Sequence, residues 1–435
     1  MPLLSWIQSL FGKPPARDVS RLQPAAPSTP GAPVRPDVTE EAIDTSGGPL
    51  KPGHRRRAIR DPRLFPKARA PINLRFGKPA PTIPKAEADR MFGPTLRTRN
   101  RQLRDLLTDE EQLKRLGLPV WKTEDDVADA LGISLGMLWH FASHRTHERC
   151  VHYVAFEVPK RSGGTRVLFA PKRRLKALQR RLHELLVRRL PVSEHAHGFV
   201  TGRSIRTGAD PHVGRDFVLH LDLQDFFPSV TFARVRGLLI AYGYAYPVAA
   251  TLAALCTESR RQPVEIEGVV RNVPVGHRHC VQGAPTSPGL CNALVLRLDR
   301  RLAGLARKFA CTYTRYADDL TFSGDIARGS MIGLRERATE IIVAEGFVVN
   351  RQKTFLASRA GRQTVTGVVV NDIAGLSRQD RRRLRAEAHQ QAQAEREGKP
   401  VSTEARARFE GRLAYLSMLN PGQARALRAF RDRIA

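Results

Sequence analysis

The sequence predicts an α+β protein preceded by a long basic extension. Short strands with alternating apolar residues are predicted at 217–223 and 312–324. Amphipathic helices are predicted at 172–189 and in three consecutive stretches between 377 and 434. Residues 1–110, in contrast, are rich in Pro, Ala, Arg and Gly with little hydrophobic periodicity, which is typical of a largely disordered segment.

The overall charge indicates the kind of partner this chain binds. Its 435 residues carry a formal net charge of +30, because 72 Lys and Arg oppose 42 Asp and Glu. We therefore expect a polyanionic partner whose affinity falls steeply with salt, since binding releases condensed counterions. A membrane partner is not expected, because no apolar run in the sequence is long enough to span a bilayer and the first residues lack a signal-peptide pattern. Five scattered cysteines fit a reducing compartment, so we expect a cytoplasmic protein.

Two adjacent carboxylates lie at the tip of a predicted hairpin. Residues 312–316 lead into Asp318 and Asp319, and residues 320–324 lead out. Neighbouring carboxylates on a tight turn repel each other and rarely stabilise a fold, whereas hard divalent cations prefer carboxylate oxygens. The alternative is a solvated acidic turn, because Asp is common in turns.

A third carboxylate projects from another predicted strand. Apolar side chains of 217–223 alternate onto one face of this strand, and Asp222 falls on the other. If the strand lies beside the hairpin, Asp222 meets Asp318 and Asp319, and three clustered carboxylates require a counter-charge. Two Mg²⁺ ions would supply that charge and would clamp both oxygens of an in-line phosphoryl displacement. For an isolated Asp222, a turn cap at the end of the strand is the alternative.

A loop rich in Gly and Pro, residues 282–288, follows the first strand and precedes the hairpin. Its composition allows the backbone to approach a ligand closely. Ser287 and Pro288 predict the N-cap and first residue of a helix whose apolar stripe runs from Leu290 to Leu305. In structural terms this is a capped amphipathic helix, and in functional terms the loop is suited to hold a planar base pair.

The strand that carries Asp222, the loop at 282–288 and the acidic hairpin at 312–324 follow one another in the order and at the spacing of a polymerase palm. Over roughly residues 115–425 the chain resembles reverse transcriptases, and within that group it is most similar to retron reverse transcriptases. The chain has Gly208 where that family usually carries Asn, so an RNA contact through that side-chain amide is not expected here. The stretches that carry the closer resemblance are 196–199, 202–205, 211–214, 221–229, 314–324 and the tripeptide at 365–367.

The resemblance implies a right-hand polymerase fold with fingers, palm and helical thumb. It divides the chain into the basic extension at 1–110, N-terminal helices and fingers at 111–215, the palm at 216–371 and the thumb at 372–435. The stretch after the palm leaves room for a thumb but not for the maturase, endonuclease or ribonuclease H segments of other reverse transcriptases.

The resemblance also implies roles for single residues. Asp222, Asp318 and Asp319 would hold two Mg²⁺ ions, with the carbonyl of Leu223 as a further ligand. Phe227 would exclude a ribose 2′-hydroxyl, a task that suits a rigid aromatic ring. The remaining assignments are nucleotide binding by Lys160, Arg166, Gln282 and Lys353, the last also as general acid for the leaving pyrophosphate, and RNA binding by His212, Val365, Thr366 and Gly367.

The implied function is an RNA-directed DNA polymerase of the retron type. A structured non-coding RNA would serve as template and primer, deoxynucleoside triphosphates would be the substrates, and an RNA–DNA hybrid would be the product. The resemblance further implies priming from a guanosine 2′-hydroxyl, a branched RNA-linked single-stranded DNA, and anti-phage defence with a separate effector protein. Two alternatives remain open: a non-retron bacterial reverse transcriptase that extends a free 3′-primer, and a catalytically inactive RNA-binding scaffold.

Overall fold

The structure is a computed structural model that describes residues 107–142, 151–159 and 165–434. The predicted disordered extension therefore lies almost entirely outside the described residues, as does Lys160. The helix that begins at Glu124 is preceded by a capping box of Thr123 and Asp126, and its first turn is acidic. The first three helices of the described part of the chain are α1 (Glu110–Arg115), α2 (Glu124–Leu131) and α3 (Leu135–Ala142).

A two-stranded antiparallel sheet and a basic helix follow. The helix buries Leu175, Leu178 and Leu182 along one stripe, as its sequence predicts. Its Arg and Lys residues lie mostly on the opposite, exposed side. The elements of this region are β1 (Tyr153–Pro159), β2 (Thr165–Pro171), α4 (Arg173–Leu185), α5 (Ile205–Ala209) and β3 (Phe217–Gln224).

The segment between β3 and the acidic hairpin is mostly helical. The helix predicted after residue 287 is in fact two helices, because Val295 (φ −86°, ψ 7°) leaves the helical region. It also begins one residue early, with Thr286 at the N-cap and Pro288 at the second helical position. The elements are α6 (Phe226–Ser229), α7 (Phe232–Ala241), α8 (Tyr246–Cys256), the hairpin of β4 (Glu258–Ile266) and β5 (Val269–His279), α9 (Ser287–Leu294) and α10 (Leu296–Lys308).

The central sheet has five strands with β3 in the middle. The order is β6-β7-β3-β8, and β9 also pairs with β3. The sequence predicted that one face of β3 is core, yet Val218 on the other face is also fully buried, because later segments pack over it. The remaining elements of this region are β6 (Thr312–Tyr316), β7 (Asp319–Gly324), α11 (Arg328–Ala344), β8 (Val348–Val349) and β9 (Phe355–Ser358).

Three helices end the described chain, close to the three stretches that the sequence predicts. They pack on one another around an apolar cluster that includes Leu384, Phe409 and Leu416. A small hairpin precedes them. These elements are β10 (Thr364–Val365), β11 (Val368–Val369), α12 (Arg378–Arg396), α13 (Thr403–Leu419) and α14 (Pro421–Asp432).

Candidate active site

The hairpin of β6 and β7 presents two carboxylates at its turn. Tyr316 pairs with Asp319 across the hairpin, so Ala317 and Asp318 form a two-residue turn. We call residues 316–319 the acidic turn. Ala317 adopts φ 56°, a left-handed conformation that is sterically costly for a residue with a side chain. The turn therefore needs support from its surroundings.

The third carboxylate reaches the acidic turn through the β3–β7 pairing. In that register Asp222 lies directly opposite Asp319. The backbone N–H of Leu223 donates to the carbonyl of Asp318 at 3.0 Å, which ties the end of β3 to the turn. The structure thus brings together three acidic residues from two separate parts of the chain.

Electrostatic coupling joins these carboxylates to one lysine. Burial, followed by the charges of Asp318 and Asp222, raises the pKa of Asp319 to about 6. The Lys353 ammonium donates to the two carboxylate oxygens of Asp222 at 3.2 and 3.0 Å, and this hydrogen bond raises the pKa of Lys353. The ammonium of Lys353 is therefore a cation that contacts this group of carboxylates.

The side chains do not form a complete metal-binding group in this conformation. Among the described residues, no set of three or more His, Cys, Asp or Glu side chains lies close enough to share an ion. Asp222 instead pairs with Lys353, whose ammonium lies 3.0 Å from one carboxylate oxygen. The donor chemistry nevertheless fits a hard divalent cation, since every candidate ligand is a carboxylate or carbonyl oxygen.

A cavity of about 350 Å³ opens beside the carboxylates. Gln282 and Lys353 line it, together with Asp222 and Asp318. The loop that carries Gln282 is docked onto β2, whose Phe169 N–H donates to the Gln282 carbonyl at 2.9 Å. The predicted nucleotide-binding residues Gln282 and Lys353 therefore line the same cavity as the carboxylates.

Gly283 shows why this loop contains a glycine. It has φ 117°, and a Cβ there would lie 2.7 Å from the Phe169 carbonyl oxygen. The sequence predicts that a ligand approaches the backbone of this loop closely. At Gly283 the group that approaches closely is strand β2.

The other predicted nucleotide-binding residues are placed differently. Phe227 is half-buried against the core and lies edge-on to Phe226, with ring centroids 5.6 Å apart. Phe226 and Pro228 from the same segment line the cavity. Arg166 belongs to β2, but its side chain, like all of Lys160, lies outside the described part of the structure.

Two of the predicted RNA-binding residues have buried side chains, which this structure does not expose to RNA, and their role in RNA binding stays a prediction. His212 is fully buried, and its imidazole nitrogens lie 2.6 Å from the Ser323 hydroxyl and 2.7 Å from the Thr314 hydroxyl. Burial lowers its pKa to about 3, so the ring is neutral. Val365 is 1% exposed within the apolar cluster that covers β3.

Thr366 and Gly367 occupy the tip of the β10–β11 hairpin. Their φ values of 48° and 85° are those of a two-residue turn in which both residues are left-handed. Gly367 is exposed and Thr366 is partly exposed. Both remain accessible to a partner, and RNA binding there stays a prediction.

The sequence analysis missed a buried polar network beneath the acidic turn. Arg315 is 1% exposed, and its guanidinium makes two 2.8 Å hydrogen bonds to Asp299. It also donates to the Asn292 side-chain oxygen at 2.9 Å and to the Ala317 carbonyl at 3.2 Å. The network therefore supports the backbone of the turn at its left-handed residue. An arginine in a strand that leads into an acidic turn is the sequence signal that could have revealed it.

A neighbouring segment completes this support. Residues 195–198 run beside β6, with the Arg315 N–H donating to the His195 carbonyl and the His197 N–H to the Arg315 carbonyl, both at 2.7 Å. The Asn292 amide donates to the Gly198 carbonyl at 2.9 Å. A Cβ on Gly198 would lie 2.8 Å from the Ala317 nitrogen, so only glycine lets this segment pack against the turn.

This fold and this acidic turn define the palm of a right-hand polymerase. The family described as "Reverse transcriptase (RNA-dependent DNA polymerase)" matches residues 158–386. Retron Mx65 reverse transcriptase of Myxococcus xanthus is 60% identical over 98% of this chain and 96% of its own length. Retron Mx162 reverse transcriptase of the same species is 43% identical over 74% of this chain and 68% of its own length. Retron Ec86 reverse transcriptase of Escherichia coli is 33% identical over 64% of this chain and 81% of its own length.

The chain therefore belongs to the reverse transcriptase family and is an RNA-directed DNA polymerase of the retron type. Among solved structures, a foamy viral protease-reverse transcriptase in complex with double-stranded DNA has 16% identity and a TM-score of 0.37, over 61% of this chain and 36% of that one. Telomerase from Candida albicans with a fragment of telomeric RNA has 10% identity and a TM-score of 0.38, over 57% of this chain and 51% of that one. Enzymes of this family bind nucleic acids and use a divalent metal ion. Within the described residues, no helix has the length and apolarity to cross a membrane.

Proposed function

We propose that Asp222, Asp318 and Asp319 hold two Mg²⁺ ions, with the Leu223 carbonyl as a further ligand. The observation that carries this proposal is the register that sets Asp222 opposite Asp319 with Asp318 in the adjoining turn. Burial, and then the charges of Asp318 and Asp222, raise the pKa of Asp319, and Lys353 is bound to Asp222. A bound cation would favour the charged form of these buried and clustered carboxylates. When bound, such ions stabilise the charge on the attacking and leaving oxygens of phosphoryl transfer.

The cavity beside the carboxylates is the proposed site of the incoming deoxynucleoside triphosphate. Gln282 orients the nucleotide and its base pair from the cavity wall. Lys353, whose flexible ammonium reaches the acidic cluster, protonates the leaving pyrophosphate. Arg166 and Lys160 contact the triphosphate, and Phe227 excludes ribonucleotides, on the strength of the family resemblance.

We further propose that the template and primer are one structured non-coding RNA. Synthesis would begin at the 2′-hydroxyl of a guanosine and yield a branched, RNA-linked single-stranded DNA. Thr366 and Gly367 at an exposed hairpin tip contact this RNA. The names of the retron relatives support this reading, as does the net charge of +30, which favours a polyanionic ligand. The proposed cellular role is anti-phage defence in the cytoplasm, with a separate effector protein.

The metal site is tested with Asp318→Asn in the full-length enzyme. We expect DNA synthesis on a primed RNA template with Mg²⁺ to fall by at least about 10²- to 10³-fold, because a ligand of the ions that stabilise the charge of the transition state is lost. Asp372→Asn is the matched control, since this carboxylate is 80% exposed and pairs with the surface residue Arg359. Retained synthesis by the Asp318→Asn enzyme would refute the proposed site.

The priming hydroxyl is tested with the cognate RNA carrying a 3′-deoxy terminus. A retron-type enzyme continues to synthesise DNA on this RNA, because an internal 2′-hydroxyl is still present. Ribonuclease treatment should then shorten this product by removing RNA. The DNA should stay joined to RNA and should show no free end from a separate primer. Loss of synthesis on the blocked RNA would instead favour the enzyme that extends a free 3′-primer.

A further inference from the structure

A half-buried arginine in α7 joins two distant parts of the chain behind the cavity. The guanidinium of Arg234 donates from Nη1 to the carbonyl of Ser229 at 3.1 Å and from Nη2 to the carbonyl of Glu345 at 3.0 Å. Ser229 is the last residue of α6, and Glu345 directly follows the last residue of α11. One side chain therefore connects the ends of two helices that are far apart in the sequence.

Both of the connected segments supply side chains to the cavity. We call residues 225–229 the gate segment and residues 345–353 the lysine segment. Arg234 itself does not line the cavity, so its contacts lie behind the walls that these segments form. The lining side chains are Asp225, Phe226 and Pro228 of the gate segment and Asn350 and Lys353 of the lysine segment.

Aromatic rings extend the contacts of this arginine to the cavity. Its guanidinium carbon lies 4.4 Å from the centroid of the Phe347 ring, within the range of a cation–π interaction. Phe347 is 2% exposed, and its ring packs against that of Phe226 with centroids 6.1 Å apart. Phe226 lies edge-on to the proposed gate, Phe227. A continuous set of contacts therefore runs from Arg234 to the gate.

The gate segment needs support from outside itself. Asp225 enters it with φ 48°, a left-handed conformation that is sterically costly for a residue with a side chain. The helix that follows, α6, has four residues, too few to be stable alone. Its last carbonyl groups have no partner within the helix, and Arg234 supplies a donor to one of them, that of Ser229.

The contacts of Arg234 suit a geometric task. A planar guanidinium presents its donors in a fixed fork, which sets the relative position of the two carbonyls that it binds. The carboxylate of Glu345 pairs instead with Arg297 and Arg301 of α10, at 3.0 and 2.7 Å. Because Arg234 bonds backbone oxygens in both segments, it fixes the path of the chain there.

We propose that Arg234 is a positioning residue for sugar discrimination, which holds the gate segment against the lysine segment. This inference rests on the proposed nucleotide site and on Phe227 as the gate. An apolar wall rejects a substrate that carries one additional hydroxyl by only about 10²-fold. Since a misplacement of about 1 Å can cost as much as 10²-fold in rate, loss of this support should weaken the rejection of ribonucleotides measurably.

The test compares addition of dCTP and of CTP by the full-length enzyme to a DNA primer on a synthetic RNA template. The quantity measured is the ratio of kcat/KM for the two nucleotides. Arg234→Met keeps an apolar stem over Phe347 but removes the donors, and we expect the ratio to fall by about tenfold.

Arg236→Met is the matched control on the same helix. Arg236 lies 4.8 Å from the centroid of the Tyr246 ring and donates to its hydroxyl at 2.9 Å, so it makes similar contacts. It bonds neither the gate segment nor the lysine segment in those contacts. We expect its substitution to change the ratio by less than about twofold.

A purely structural role predicts a different pattern. The ratio does not depend on the concentration of active enzyme, because the same preparation is measured with both nucleotides. Destabilisation would therefore lower both rates together and leave the ratio unchanged. An equal ratio in Arg234→Met and Arg236→Met would overturn the proposal. If Arg234→Met does not fold, Arg234→Lys gives the same comparison, because an ammonium keeps the charge but lacks the planar fork.

Phe227→Ala separates this proposal from the gate itself. If both single variants lower the ratio, Arg234→Met should lower it little further in a Phe227→Ala background, because residues that act through one another are not additive. Fully additive losses would overturn the proposal. If Phe227→Ala alone leaves the ratio unchanged, the proposed gate is wrong. A lower ratio in Arg234→Met would then still support the positioning role, through Phe226 and Pro228 of the cavity wall.

Discussion

Protonation of His212 is expected to destabilise the folded enzyme as the pH falls below about 6.5. The imidazole is fully buried between two hydroxyl groups. Burial is the main cause of its lowered pKa of about 3, and the nearby His220, His197 and Arg215 lower it further. In the unfolded chain the same ring titrates near its ordinary value of 6.5.

The size of the effect follows from the difference in bound protons. Between pH 6.5 and 3 the unfolded state holds a proton on this ring that the folded state does not, so stability is complete above about pH 6.5 and is lost as the pH falls. At pH 5, about 1.5 pH units below the ordinary value, the loss is about 2 kcal/mol. It reaches about 5 kcal/mol near pH 3.

The assay compares chemical denaturation of the wild type and His212→Gln at pH 7 and pH 5. The glutamine side chain keeps a hydrogen-bond donor and an acceptor but does not titrate, so the wild type should lose about 2 kcal/mol more than the variant between these pH values. His389→Gln is the control, because His389 is exposed, and it should retain the wild-type pH dependence. Parallel pH dependence of the wild type and His212→Gln would refute the reasoning. A specific loss of RNA affinity in His212→Gln at pH 7 would instead restore the contact that the sequence predicted.

Three further predictions concern the acidic turn and the nucleotide. Gly198→Ala should lower the kcat for DNA synthesis by about tenfold or more, because its Cβ would lie 2.8 Å from turn backbone, whereas Gly237→Ala, with nothing within 4 Å, should leave kcat unchanged. Asp299→Asn should cost about 3 to 5 kcal/mol of unfolding free energy by leaving a buried arginine unpaired, while Glu340→Gln in an exposed pair should cost under about 1 kcal/mol. Phe227→Ala should reduce the preference in kcat/KM for deoxynucleotides over ribonucleotides by about 10- to 200-fold, and an unchanged preference would exclude Phe227 as the gate.

Much of the local structure could be predicted from the sequence because local interactions decide it. The capping box at Thr123, the apolar stripe of α4 and the three C-terminal helices follow from side-chain spacing within single segments. The hairpin around Asp318 follows from alternation on two short strands joined by a tight turn. The α+β class and the carboxylates of the candidate site were therefore accessible without coordinates.

Burial and long-range contacts were not accessible in this way. The family resemblance implied that His212 binds RNA, yet the fold buries its imidazole against Thr314 of β6 and Ser323 of β7. The sequence analysis assigned no role to Arg315, yet it meets Asp299 beneath the acidic turn. Which polar groups become buried depends on what packs over them, and those groups come from distant parts of the chain.

By itself the sequence determined the helices, the strands, the acidic hairpin and the family, because each depends on residue types at short, regular spacing. Only the tertiary structure decided that Asp222 stands opposite Asp319 and that Arg315 lies buried beneath the acidic turn. The physical reason is that strand register and solvent exposure are properties of the packed assembly, in which hydrogen bonding and burial across many segments are satisfied together.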